Sequence, residues 1–125
     1  MDIETQIAYW KESSAEDFVV AGKLIASGHA KHGLFFLHLG IEKLLKAHVC
    51  KGTKELAPKS HNLEWLAQKA GLVLDEEVTR YFSGLTVYNI VGRYPGATTP
   101  EINRQKLQEL ERNTIKVREW LIKSL

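Results

Sequence analysis

The stretch Phe35-Phe36-Leu37-His38-Leu39-Gly40-Ile41-Glu42-Lys43-Leu44-Leu45-Lys46-Ala47 decides how this chain is read. It is as apolar as a buried helix, yet it holds ionisable residues. Positions four apart share one face of a helix. His38, Glu42 and Lys46 therefore fall in one line, flanked by Phe35, Leu45 and Val49. A carboxylate set among such neighbours requires a partner, because an unpaired buried charge is strongly unfavourable. Lys46 stands one turn on. Arg93, just before Tyr94 and Pro95, is the best distant alternative.

Around this stretch the spacing of apolar residues predicts a helix from about His29 or Lys31 to Lys51, closed by Gly52. Gly33 and Gly40 lower its propensity by ~1 kcal/mol each and let a neighbour approach closely. Before it, Ile3, Ile7, Trp10, Phe18, Ala21 and Ile25 mark a helix from Asp2 to Ala26, ended by Ser27-Gly28. After it, Thr53 to Lys59 reads as a loop. Ser60 is placed to cap a short helix from about Asn62 to Ala70, stopped by Gly71, with Leu63, Leu66 and Ala67 facing inward. A further long helix runs from about Asp75 to Val91, its acidic start suited to a helix N-terminus. Its apolar side comprises Val78, Tyr81, Phe82, Leu85, Tyr88 and Ile90. Pro100 then opens the last helix, which runs to about Lys123 and buries Ile102, Leu107, Leu110, Ile115, Val117, Trp120 and Leu121. No segment alternates with period two. The expected fold is all-α: an antiparallel up-and-down four-helix bundle, with an additional short helix in the second-to-third crossover, in one domain over residues 1–125.

Composition narrows the function classes. A net charge of +2 is too small to imply nucleic-acid binding by itself. The single cysteine, Cys50, excludes an intrachain disulfide and suits a reducing interior. No apolar run approaches the ~20 residues of a membrane span. The acidic start Met1-Asp2-Ile3-Glu4 has no signal-peptide pattern, so a cytoplasmic location is expected. His29, His32 and His38 have no carboxylate or cysteine pattern to complete a metal site, and no metal or other cofactor is expected. The scattered glycines form no phosphate loop. The alternating charges of the last helix read as a solvated face.

Three blocks recur in one known family. The first is Glu42-Lys43-Leu44-Leu45-Lys46-Ala47. The second is Pro58-Lys59-Ser60-His61-Asn62-Leu63 with Leu66. The third is Tyr88 followed by Arg93-Tyr94-Pro95. In order and spacing they resemble the HEPN family over about Trp10 to Trp120. The resemblance implies a helical bundle, frequent homodimers, and frequent pairing with a small nucleotidyltransferase in toxin–antitoxin-like pairs. Many members are metal-independent ribonucleases with an R-x(4–6)-H motif. Arg93 takes the place of that arginine, but no histidine follows it. Arginine stabilises phosphate charge and does not move protons. No catalytic residue is assigned on this ground, and RNA cleavage is not favoured.

The residues carry two readings each. Arg93 either neutralises Glu42 and fixes a helix end, or presents its donors to a phosphate. Asn89, one turn earlier, is placed to share either task. Lys46 is a solvated or paired lysine, or a phosphate ligand. His61 fastens the start of the short helix, or acts as a base. The expected role is a nucleotide-binding and assembly module with a pocket around Glu42, Lys46, Asn89 and Arg93. Tyr88, Tyr94, Pro95 and His61 serve as motif and structural residues. The alternatives are a ribonuclease using Arg93 and a purely structural homodimer.

Overall fold

The computed structural model describes residues 2–96 and 101–125. Among these residues there are five helices and no strand. They are α1 (Ile3–Ala26), α2 (Ala30–Thr53), α3 (Leu63–Lys69), α4 (Glu76–Arg93) and α5 (Arg104–Lys123). Four long helices form the bundle, and the short α3 occupies the crossover between α2 and α4.

Local chemistry explains the starts. The side chains of Asp2, Asn62, Asp75 and Asn103 each accept a hydrogen bond from the backbone N–H three residues on. Such caps satisfy donors that a helix start leaves unpaired. Asn62, rather than Ser60, caps α3; Ser60 Oγ accepts from the Asn62 N–H at 3.2 Å and steadies the cap. The expected opening of α5 by Pro100 lies outside the described residues, and the helix begins at Arg104.

The end of α2 differs from expectation. Gly52 lies inside the helix, which closes at Lys54 in the left-handed conformation (φ 60°). A Cβ on Gly52 would stand 3.0 Å from the Ala70 carbonyl oxygen, so glycine here admits the end of α3.

Helix α2 is the axis of the molecule and packs on all four others. Its Leu34, Ile41, Leu45 and Val49 are fully buried, with Leu66, Leu85 and Leu121 from the helices around them. Each Leu-sized side chain so buried contributes ~1.5–3 kcal/mol of transfer free energy. The hairpin of α1 and α2 is also laced by polar contacts. Ser14 Oγ donates to the Gly40 carbonyl at 2.7 Å, and Lys43 pairs with Asp17 at 2.8 Å. His48 Nε2 donates to the Leu121 carbonyl at 2.7 Å and ties α2 to α5.

Two apolar residues expected inside are exposed, Ile90 and Ile115. The buried stripes run through Leu85, Tyr88 and Asn89 on α4, and through Leu110, Thr114, Val117 and Leu121 on α5. Thr114 is tolerated there because it donates to the Leu110 carbonyl and hydrogen-bonds Tyr81 Oη. Burial drives the Tyr81 phenol pKa well above its usual value. Cys50 is buried, and burial pushes its thiol up, as suits a packing residue. Among the described residues no helix is long and apolar enough to cross a membrane.

Candidate functional site

The line His38, Glu42, Lys46 is buried throughout, with exposures of 0%, 3% and 7%. Lys46 is thus neither a solvated lysine nor a free phosphate ligand. Its Nζ lies 3.1 Å from Glu42 Oε2 and sits over the Trp10 ring of α1, 5.2 Å from the centroid. The aromatic face adds attraction where water is excluded.

The other carboxylate oxygen meets His61. Glu42 Oε1 lies 3.1 Å from His61 Nδ1, at the approach to α3. The expected direct pair between Glu42 and Arg93 is not formed among the described residues. The loop between α2 and α3 brings His61 to Glu42, and Arg93 packs outside it. Arg93 Nε donates to Asn89 Oδ1 at 3.2 Å, Nη2 stands 3.3 Å from His61 Nδ1, and the guanidinium lies 5.4 Å from the Phe35 ring centroid. Asn89 is buried, and its Nδ2 has no hydrogen-bond partner among the described residues.

His61 Nδ1 faces two groups with incompatible demands. A carboxylate only accepts, so toward Glu42 the nitrogen must carry its proton. A guanidinium only donates, so toward Arg93 the same nitrogen would have to be bare. The buried carboxylate wins, because an unsatisfied buried charge is the costlier fault. His61 then donates to Glu42, and Arg93 finds no acceptor on that ring nitrogen. The ring is half exposed, which leaves Nε2 for a ligand.

His38 completes the cluster without joining it by hydrogen bonds. Its Nδ1 is 3.8 Å from Glu42 Oε1, and neither ring nitrogen has a hydrogen-bond partner among the described residues. Burial, reinforced by Arg93 and His61, pushes its pKa down to about 3. His38 is therefore a neutral packing residue.

A groove of about 510 Å³ opens over this cluster. One wall is the approach to α3, with His61, and the first turn of α3, with Glu64. The other is the α4 stripe of Ser83, Thr86, Asn89 and Arg93, with Tyr94 at its end. Glu42 and Lys46 do not line it; Glu42 holds His61 from behind, and Lys46 pairs with the other oxygen of Glu42. Tyr88 is buried in the core, and burial raises its phenol pKa. Tyr94 is exposed and follows α4, while Pro95 lies in the turn beyond it. A second hollow of about 410 Å³, between the start of α4 and α5, contains none of the motif residues. His29 and His32 stack edge to face on the surface, and no group of three metal-ligating residues exists among the described residues.

The hub of the site is His61, which the sequence alone marks as a fastening for α3 or a base. The signal was its place in the block Pro58-Lys59-Ser60-His61-Asn62-Leu63, but the spacing does not reveal that Glu42 is its partner.

Fold and site together define an all-α bundle whose long central helix carries a buried, charge-compensated carboxylate beneath an arginine-bearing groove. The family model for the HEPN domain matches residues 7–125, and the chain belongs to the HEPN family. Membership supports a nucleotide-binding or ribonuclease-type module in general. No curated protein matches the chain closely enough to refine that statement.

Proposed function

We propose that the chain is a nucleotide-binding and assembly module, with Arg93 as the anion ligand and a small nucleotidyltransferase as its protein partner. One observation carries the ligand half. The guanidinium has five N–H donors, and among the described residues its hydrogen-bonding neighbours are Asn89 Oδ1 and a ring nitrogen whose proton is turned to Glu42, with the Phe35 ring packed against its face. A phosphate oxygen accepts where His61 does not. His61 Nε2, when protonated, and the orphaned Asn89 amide add donors. Behind the groove Glu42 fixes the imidazole, and Lys46 compensates Glu42.

The partner half rests on the family resemblance, as does self-association. Apolar side chains suited to an interface are exposed on α1 (Tyr9, Val19, Val20) and on α5 (Ile115, Ile122). Those of α2 and α4 are largely consumed in the core. Co-purification of the chain with a small nucleotidyltransferase from its native cell tests the partnership; separate elution of the two proteins at micromolar concentration refutes it.

A second reading is favoured by one distance. His61, backed by a carboxylate, lies 3.3 Å from Arg93, so the histidine lacking after Arg93 in sequence has a counterpart in space. Under this reading the chain cleaves RNA without metal. Incubation of RNA with the pure protein separates the two. Intact RNA supports the binding module. Cleavage lost in both Arg93→Ala and His61→Ala replaces it with the nuclease.

A further inference from the structure

The Arg93 groove has two chemically opposite ends. Along α4 the residues from Ser83 to Arg93 span ten positions, roughly 15 Å at the helical rise. Two contacts fix what faces each end of that stripe. Arg93 Nη2 meets His61 at 3.3 Å, and Ser83 Oγ donates to Glu64 Oε1 at 3.3 Å. One end therefore presents a guanidinium and an imidazole, and the other presents a carboxylate. Between them lie Thr86, whose hydroxyl donates to the Phe82 carbonyl at 2.7 Å, and the buried Asn89 with its unpartnered amide. Apart from Arg93 and the titratable His61, no cation is found among the residues lining the groove.

We propose that this groove selects nucleoside monophosphates over their di- and triphosphates. The proposal rests on the reading of Arg93 as an anion ligand and adds the class of ligand. A single phosphate at the Arg93 end meets a guanidinium fork, the imidazole and the Asn89 amide. The nucleoside half then lies along Leu63 and Ile90, which supply apolar contact. Its hydroxyl and amino donors reach Glu64 and Ser83, and a carboxylate accepts such donors well. A second or third phosphate would have to occupy the middle of the groove. There it meets no cation, and the Glu64 carboxylate repels it. Like charges placed together in a binding site act as a rejection device.

The test is calorimetric titration of the full chain in metal-free, low-salt buffer. The probes are inorganic phosphate, AMP and GMP, and ATP and GTP. The monophosphates are expected to bind at least fivefold more tightly than the triphosphates, which is about 1 kcal/mol. Glu64→Gln should bring the two classes within about twofold, and Glu64→Lys should invert the order. Glu64 is exposed, so both variants are expected to fold, and circular dichroism checks this. Triphosphates binding the wild type as tightly as monophosphates would overturn the proposal. So would an unchanged preference in both folded Glu64 variants. If neither phosphate nor any nucleotide binds, the anion site itself is wrong and the selectivity falls with it.

Discussion

The buried pair of Glu42 and Lys46 gives the sharpest energetic prediction. Their side chains are 4% and 9% exposed and 3.1 Å apart, so solvent screens them little. Glu42→Gln keeps the shape and an acceptor for His61. Among the described residues it leaves the Lys46 ammonium with the Trp10 face in place of a carboxylate. Breaking one side of a buried pair costs ~3–5 kcal/mol. With ~2.1 cal/mol/K of unfolding entropy per residue, 3 kcal/mol lowers the Tm of a chain this long by roughly 11 °C. Lys46→Met makes the opposite fault, a carboxylate held by His61 alone. The double variant removes both charges and should cost less than the sum by about 2 kcal/mol or more. Urea melts of the four proteins measure this directly. The cycle Glu42→Gln with Arg93→Gln should show a smaller coupling, because His61 stands between them. Additivity of Glu42→Gln and Lys46→Met within ~0.5 kcal/mol would show that the two side chains are not coupled in the core.

Three further outcomes are expected. Unfolded His38 takes up a proton below about pH 6.5, while the folded residue resists until about pH 3, so stability is full above 6.5 and declines as pH falls through that window. From pH 7 to pH 5 the loss from His38 alone is about 2 kcal/mol, and a pH series of melts on His38→Leu should be flatter than wild type by that amount. Gly22→Ala, with nothing within 4 Å of the added carbon, should stabilise by ~0.5–1 kcal/mol; Gly40→Ala gains the same propensity but drives a carbon to 2.7 Å from Phe18 Cζ and should be net destabilising in chemical denaturation. Light scattering at tens of micromolar should give twice the monomer mass of 14.2 kDa, and a purely monomeric signal would remove self-association from the account.

The helices were legible because their signals are local. Apolar spacing, acidic starts and stop residues place all five within a few residues. The line of His38, Glu42 and Lys46 also followed from helical period alone. Burial of each member did not, since it depends on distant elements. Lys46 is buried because α1 lays Trp10 over it, and Glu42 is compensated because the α2–α3 loop delivers His61. The choice between Arg93 and His61 as partner is a matter of chain path, which periodicity does not encode. The same limit explains Gly52. A glycine near a helix end reads as a stop, and here it serves the packing of α3. Ile90 and Ile115 failed for a different reason. Each lies one position off the buried stripe, beside Asn89 and Thr114, whose hydrogen-bonding roles make a polar residue tolerable inside.

The central claim is that Arg93 holds an anion at the mouth of the groove. It is tested most directly by following the Tm of the pure chain against inorganic phosphate and nucleoside monophosphates. Ligand at 100 times its Kd raises stability by ~2.7 kcal/mol, or roughly 10 °C for this chain. That shift is expected in wild type, a smaller one at high salt, and none in an Arg93→Ala variant whose circular dichroism is unchanged. No shift with any millimolar nucleotide, or an equal shift in the folded Arg93→Ala variant, would contradict it.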